Sequence, residues 1–294
     1  MAVVWPHETQ SLRGAIDARD TCGVEPLLIG DVRTIQALLK QLGVLDHPRI
    51  MPAASDLDAA LLAVALVRER EADILMKGHL HTDDFLRPIL HKTNGLGIGR
   101  TMSHVFACAV PAAIYHKTLY ITDAAFNIAP TLAVKRSIVQ NAIDFVQMMG
   151  IAAPKVALLA AVESVNPAMT ATIDAAALAK MAERGQITGG ILDGPLAFDN
   201  AVSLRCAQTK GIDSRVAGDP DILLAPEIET GNVMYKQLVH FSGAVAPGIV
   251  LGARAPVLLT SRSEPAGART AAIAVAALIA GRHADLPEKE AAIA

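Results

Sequence analysis

Short apolar runs alternate with longer amphipathic stretches along the whole chain. The runs read as strands: PLLIG at 26–30, DILM at 73–76, TLYIT at 118–122, VALLAAV at 156–162, GGILD at 189–193, DILLA at 221–225, GIVLG at 248–252 and PVLLT at 256–260. Their nearly unbroken hydrophobicity suits strands of a parallel sheet covered on both faces. Between them, 56–71, 131–149, 170–184 and 264–280 carry helical patterns, and in the second of these Val139, Ala142, Ile143 and Val146 share one face. Strands alternating with helices predict an α/β protein. No internal repeat interrupts the alternation. The segment MGIAAP at 149–154 reads as a domain boundary. It predicts a first domain of 1–150 plus 251–294, since the run at 256–260 needs a sheet to join, a second domain of 151–250, and a cleft between the two lobes. The segment 283–294 reads as a polar tail.

Composition narrows the class. The chain has 294 residues, 52% hydrophobic but only 3% aromatic, so its core rests on Ala, Val, Ile and Leu. A formal net charge of -3, with no long Lys/Arg run, predicts no nucleic-acid or membrane partner and leaves anionic ligands to locally basic pockets. Cys22, Cys108 and Cys206 are widely separated, which predicts neither a disulfide framework nor a cysteine zinc site and fits a reducing cytoplasm. The start, MAVVWPHETQ, lacks a secretory pattern, and the longest apolar run, 271–280, falls short of the roughly 20 residues a membrane span requires.

Candidate chemistry gathers after the strands. In 221–238, DILLAPEIETGNVMYKQL, an apolar strand closes at Pro226, and the turn 229–232 is expected to open a helix whose free N–H groups, approached closely at Gly231, can hold a phosphate or carboxylate. The segment 74–104 concentrates Lys77, Arg87, Lys92 and Arg100, with four histidines, against Asp83 and Asp84. It reads either as an anion site, with Lys77-Gly78 at a strand end and Arg87 on the following helix, or as a solvated helix face. His79-Leu80-His81 with Asp83 and Asp84 also matches part of a zinc set, but no third ligand is fixed by spacing, and His81-Thr82 at a helix start, with Thr82 as N-cap, is the simpler account. Glycines 95, 97 and 99 follow a helix rather than a strand and lack the dinucleotide spacing. In ITDAAFNIAP, Asp123 and Asn127 follow a strand, where ligands of open α/β sheets bind; Asp123 either serves a substrate or caps its own turn. Asp193-Gly194-Pro195 reads as a turn. Ser261 and Arg262 follow the run at 256–260 at a helix start, offering a hydroxyl and a guanidinium to an oxyanion or a phosphoryl group.

The segments LMKGHLHTDDFLRPIL, ITDAAFNIAP, GGILDGPLAFDNAVS, PEIETGNVMYKQL and PVLLTSR resemble, in order, the phosphate acetyl/butyryltransferases, and the MKG and LTSR forms are most similar to the butyryltransferase branch. That resemblance implies a two-domain, three-layer α/β/α fold akin to isocitrate and isopropylmalate dehydrogenases, an active site in the interdomain cleft, and a homodimer. It implies exchange of a short acyl group between coenzyme A and inorganic phosphate, with coenzyme A as substrate and no tightly bound cofactor or metal. Arg87, Ser261 and Arg262 take the catalytic positions, and Lys77, Gly78, His81, Thr82, Asn127, Gly231, Asn232 and Lys236 fall in the substrate-binding segments. The acetyltransferase branch has an Asp seven residues beyond the Ser, where this chain has Ala268, so Glu264 or Asp123 is expected to take the thiol proton. Two other readings stay in play. One is a metal-dependent hydroxyacid dehydrogenase of similar fold, for which Asp219 and Asp221 are the close carboxylate pair; the other is a protein that binds coenzyme A or an acyl phosphate without turning it over.

Overall fold

A computed structural model describes residues 1–259 and 266–284 of the chain, which divide into two compact units, 1–100 with 247 onward, and 101–246. The first unit opens with β1 (Ala2–Val4), α1 (Thr9–Cys22), β2 (Leu27–Gly30), α2 (Val32–Gln41), β3 (Arg49–Pro52), α3 (Asp56–Arg68), β4 (Leu75–Lys77) and α4 (Thr82–Ile89). The second holds β5 (Ser103–Cys108), β6 (Leu119–Thr122), α5 (Leu132–Met148), β7 (Lys155–Leu159), α6 (Thr170–Glu183), β8 (Ile191–Leu196), α7 (Phe198–Val202), α8 (Leu204–Thr209), β9 (Ile222–Leu224) and α9 (Ile228–Ser242). The chain then returns to the first unit as β10 (Gly248–Leu251), β11 (Val257–Leu258) and α10 (Ala266–Ala284). The expected boundary near Gly150 therefore falls inside the second unit, because β6, which precedes it, pairs in parallel with β9, which follows it.

In the first unit the strand order is β3-β2-β1-β4-β11-β10, parallel except for β10. The chain winds outward from β1 to β3 and then crosses back to β4 on the other side of β1. That reversal makes the carboxyl ends of β1 and β4 a topological switch point, where such sheets open a ligand crevice. Every residue of β1, β2 and β4 is buried, as expected of strands covered on both faces. Local sequence starts the helices. Asp31 caps α2 by accepting the Thr34 N–H at 2.8 Å, and Ser55 caps α3 by accepting the Asp58 N–H at 3.1 Å.

The second unit has the order β5-β6-β9-β7-β8, parallel except for β5. Its core gathers Phe106, Leu119, Ile121, Leu159, Leu196 and Leu223, with Met234, Tyr235 and Leu238 of α9 packed against it. The turn expected at Asp193-Gly194-Pro195 is instead part of β8. Gly194 sits at φ 159, its N–H donates to Asp193 Oδ1 at 2.8 Å, and the register against β7 shifts between Ala157 and Leu159, so an irregular strand replaces the turn.

Candidate functional site

In the second unit, the carboxyl ends of β6 and β9 build one hydrogen-bonded cluster. Asp123, directly after β6, is 2% exposed. Its Oδ1 accepts the N–H groups of Ala125 and Phe126, each at 3.0 Å. Its Oδ2 accepts from the His104 N–H at 3.3 Å, the Asn127 N–H at 3.2 Å and Asn127 Nδ2 at 2.6 Å. Both oxygens are thus occupied by the protein's own donors. Asn127 Nδ2 also reaches the Met102 carbonyl at 3.0 Å, and Asn232 Nδ2 donates to the Ala124 carbonyl at 3.0 Å.

The start of α9 differs from the sequence reading. Glu227, not the 229–232 turn, is the N-cap, and its carboxylate accepts the Glu229 and Thr230 N–H groups. Gly231 lies within the first turns of the helix, where an added Cβ would stand 2.5 Å from the Asp123 carbonyl oxygen and 3.0 Å from Ala124 Cα. Its bare face is therefore used by the backbone of the β6 turn rather than left for a ligand. Lys236 is exposed one turn beyond Asn232, on the same helix.

In the first unit, Lys77 ends β4 and is buried at 9% exposure. Gly78 follows, and its N–H donates to the Val4 carbonyl at 2.9 Å. A Cβ at Gly78 would collide with the carbonyl oxygens of Val4 and Trp5, so the close approach of β4 to β1 requires glycine. His79 N–H donates to the Trp5 carbonyl at 2.8 Å, and its Nδ1 lies 3.2 Å from Glu8 Oε2. It turns to a residue far upstream rather than to His81. The N-cap of α4 is His81, one residue before the expected Thr82, which is the first helical residue; both are exposed. Arg87 lies in the last turn of α4, and its Nη2 stands 3.2 Å from Asp84 Oδ1. Ser261, Arg262 and Glu264 lie outside the described residues. Ala268, where the acetyltransferase branch has its Asp, is buried in α10. Among the described residues, no three His, Cys, Asp or Glu side chains are grouped to hold a metal ion.

Two titrating groups of the second unit have surroundings that the sequence does not show. His104 is 1% exposed, its Nδ1 meets no partner, and its ring centroid lies 4.4 Å from that of Phe106. Burial pushes its pKa down to about 4 against an opposing pull from Asp123, so it is neutral near pH 7. Its polar character within an apolar strand was the only signal. At the opposite end of the strands, Asp219 meets Lys117 Nζ at 2.9 Å and Lys155 Nζ at 2.7 Å, and Asp221 meets Lys117 Nζ at 2.7 Å. Desolvation alone would raise the Asp219 pKa, but the two lysines hold it down to about 2. The carboxylate pair is a clamp between strand starts and is already neutralised.

Acid should therefore destabilise the protein in two stages. His104 has a folded pKa of about 4 against 6.5 for the free side chain, so its stabilising contribution is complete above pH 6.5 and lost as pH falls toward 4. Asp219 has a folded pKa of about 2 against 3.8, so its contribution persists above pH 3.8 and is lost below that, toward pH 2. Denaturant midpoints measured from pH 7 to about pH 2 check this, and His104→Leu should flatten the upper stage only. An unchanged slope between pH 6.5 and 4 in that variant would show that His104 does not drive the upper stage.

Residues 22–279 match the phosphate acetyl/butaryl transferase family. The chain is similar to a phosphate acetyltransferase of Rickettsia felis, 48% identical over 280 residues that cover 95% of this chain and 80% of that protein. It is also similar to a phosphate butyryltransferase of Clostridium acetobutylicum, 42% identical over 282 residues that cover 96% of this chain and 93% of that protein. Among solved structures, a branched-chain phosphotransacylase from Enterococcus faecalis V583 superposes with a TM-score of 0.82 at 29% identity, covering 95% of this chain and 99% of the other. The mixed α/β architecture, the ordered motifs and these matches agree, and the chain belongs to the phosphate acetyl/butaryl transferase family.

Proposed function

We propose that Arg87, Ser261 and Arg262 carry the chemistry, and that Lys77, Gly78, His81, Thr82, Asn127, Asn232 and Lys236 shape the substrate site. The chain is an acyltransferase that interconverts acyl-coenzyme A plus phosphate with acyl phosphate plus coenzyme A. The observation that carries this activity is the family match along nearly the whole chain. To the proposal belong the isocitrate/isopropylmalate dehydrogenase-like fold type with its interdomain cleft, the homodimer and the cytoplasmic location, each supported by the family resemblance alone.

The chemistry sets the roles. The coenzyme A thiol is mostly protonated near neutrality, so a base or a cationic environment must raise its thiolate fraction before sulfur attacks the acyl phosphate carbonyl. The Ser261 hydroxyl is suited to donate to the tetrahedral oxyanion. Phosphate then leaves with its negative charge against the guanidinium groups of Arg262 and Arg87. Asp123, whose two oxygens already accept five hydrogen bonds, fits a scaffold for the turn to Asn127 better than a proton acceptor.

The test is direct. Purified protein given phosphate and a series of acyl-coenzyme A thioesters should release free thiol, and a chelator of divalent ions should leave the rate unchanged, because every donor in the scheme is a protein side chain. Release with none of the thioesters would overturn the assignment. Metal-restored oxidation of a hydroxyacid would favour the dehydrogenase reading.

A further inference from the structure

We infer that His79, oriented by Glu8, is the base that takes the proton from the coenzyme A thiol. This assignment rests on acyl transfer being the reaction, and it fills the role left vacant at Ala268. Two observations converge on it. First, the pair has the geometry of a base and its orienting group: Nδ1 of His79 lies 3.2 Å from Glu8 Oε2. With the ring proton on Nδ1 facing the carboxylate, Nε2 carries the free lone pair. Second, the pair stands at the switch point of the first unit, with Glu8 from the turn after β1 and His79 from the turn after β4, where an open sheet of this winding offers its ligand crevice.

The surroundings suit the task. The His79 side chain is 44% exposed and so accessible to a thiol, whereas Glu8 is 22% exposed and better shielded. The backbone of His79 is held by its N–H bond to Trp5, and Gly78 permits that approach. His7 is near enough for the charges of the two rings to act on one another, and its Nε2 accepts the Asp31 N–H at 3.1 Å, while the buried Lys77 lies two residues before His79 at the end of β4. That bond occupies the acceptor nitrogen of His7, so His7 is not an equivalent base. Asp123 has no free oxygen for the proton.

The step balances without another reactant. Nε2 takes the thiol proton, and the sulfur lone pair forms the C–S bond at the acyl carbon. Collapse of the tetrahedral intermediate breaks the bond from the acyl carbon to the phosphate oxygen, and the imidazolium returns its proton to the departing phosphate. In the reverse direction the imidazolium protonates the coenzyme A sulfur as it leaves.

The experiment follows thiol consumption from acetyl phosphate and coenzyme A in the full chain. His79→Gln should lower kcat roughly 100-fold near pH 7, leave the KM for acetyl phosphate nearly unchanged, and regain rate as rising pH ionises the thiol in solution. His79→Ala should be partly rescued by added imidazole. Glu8→Gln should lower kcat less and displace the rising limb of the pH profile, and Glu8→Asp should restore much of it; a merely structural Glu8 would leave the limb in place. Parental kcat and an unshifted pH profile in folded His79→Gln would overturn the base assignment while leaving acyl transfer intact. The base assignment also falls if Glu264→Gln alone removes the limb. Absence of thiol turnover in the parental protein would instead sink the acyl-transfer reading and the assignment with it.

Discussion

Asp123→Asn should cost the protein roughly 3 kcal/mol of folding stability, because an amide cannot replace a carboxylate that accepts on both sides. At Oδ1 two backbone N–H groups point inward, from Ala125 and Phe126, and at Oδ2 three donors converge, from His104, Asn127 and the Asn127 side chain. Whichever position the new NH2 takes, a donor meets donors at a side chain that is 2% exposed, and at least two N–H groups lose their acceptor. The turn to Asn127 and the contact of Asn232 with the Ala124 carbonyl should loosen together. Denaturant unfolding measures the loss, and turnover of the folded fraction should show no selective recovery at high pH. Parental stability combined with such a recovery would make Asp123 the thiol base and return it to the catalytic set.

The strands most legible in the sequence were those buried on both faces. β2, β6, β7 and β9 appear as continuous apolar runs, and their ends fall within a few residues of the expected positions. β1, β3 and β5 were not expected, each for a physical reason. β1 has only three residues, β3 is a sheet edge with exposed Arg49 and Pro52, and β5 buries Ser103 and His104, so its polar letters hide its burial. The ligand motifs were legible as strand ends but not as geometry. α9 starts ahead of the 229–232 turn because its cap is Glu227, a residue outside the usual Ser, Thr, Asp and Asn set. Gly231 looked like space for a ligand because sequence shows a missing side chain but not what fills the gap. The Glu8–His79 pair joins residues 71 positions apart, and only the neighbouring of β1 and β4 brings them together.

Arg262→Ala should lower turnover roughly 30- to 1000-fold, the loss of about 2 to 4 kcal/mol expected when one charge-assisted contact to the departing phosphate disappears. Arg262 lies outside the described residues, so its role rests on the family motif. Arg87 offers a sharper comparison because its resting state is visible. Its side chain is 67% exposed and paired with Asp84 across one turn of α4. Exposed ion pairs of this kind contribute little to folding, so Arg87→Ala should leave the unfolding midpoint nearly unchanged while turnover falls over a similar range. Arg87→Lys should recover only part of the rate, since an ammonium keeps the charge but not the forked donors that match a phosphate. Removing Asp84 frees Arg87 from its partner, and Asp84→Asn should therefore lower the KM for phosphate modestly if the guanidinium must leave Asp84 to bind it. Stable Arg262→Ala and Arg87→Ala variants with near-parental kcat/KM would show that neither cation meets the phosphoryl group, and the anion site would then have to be sought at the buried ammonium of Lys77.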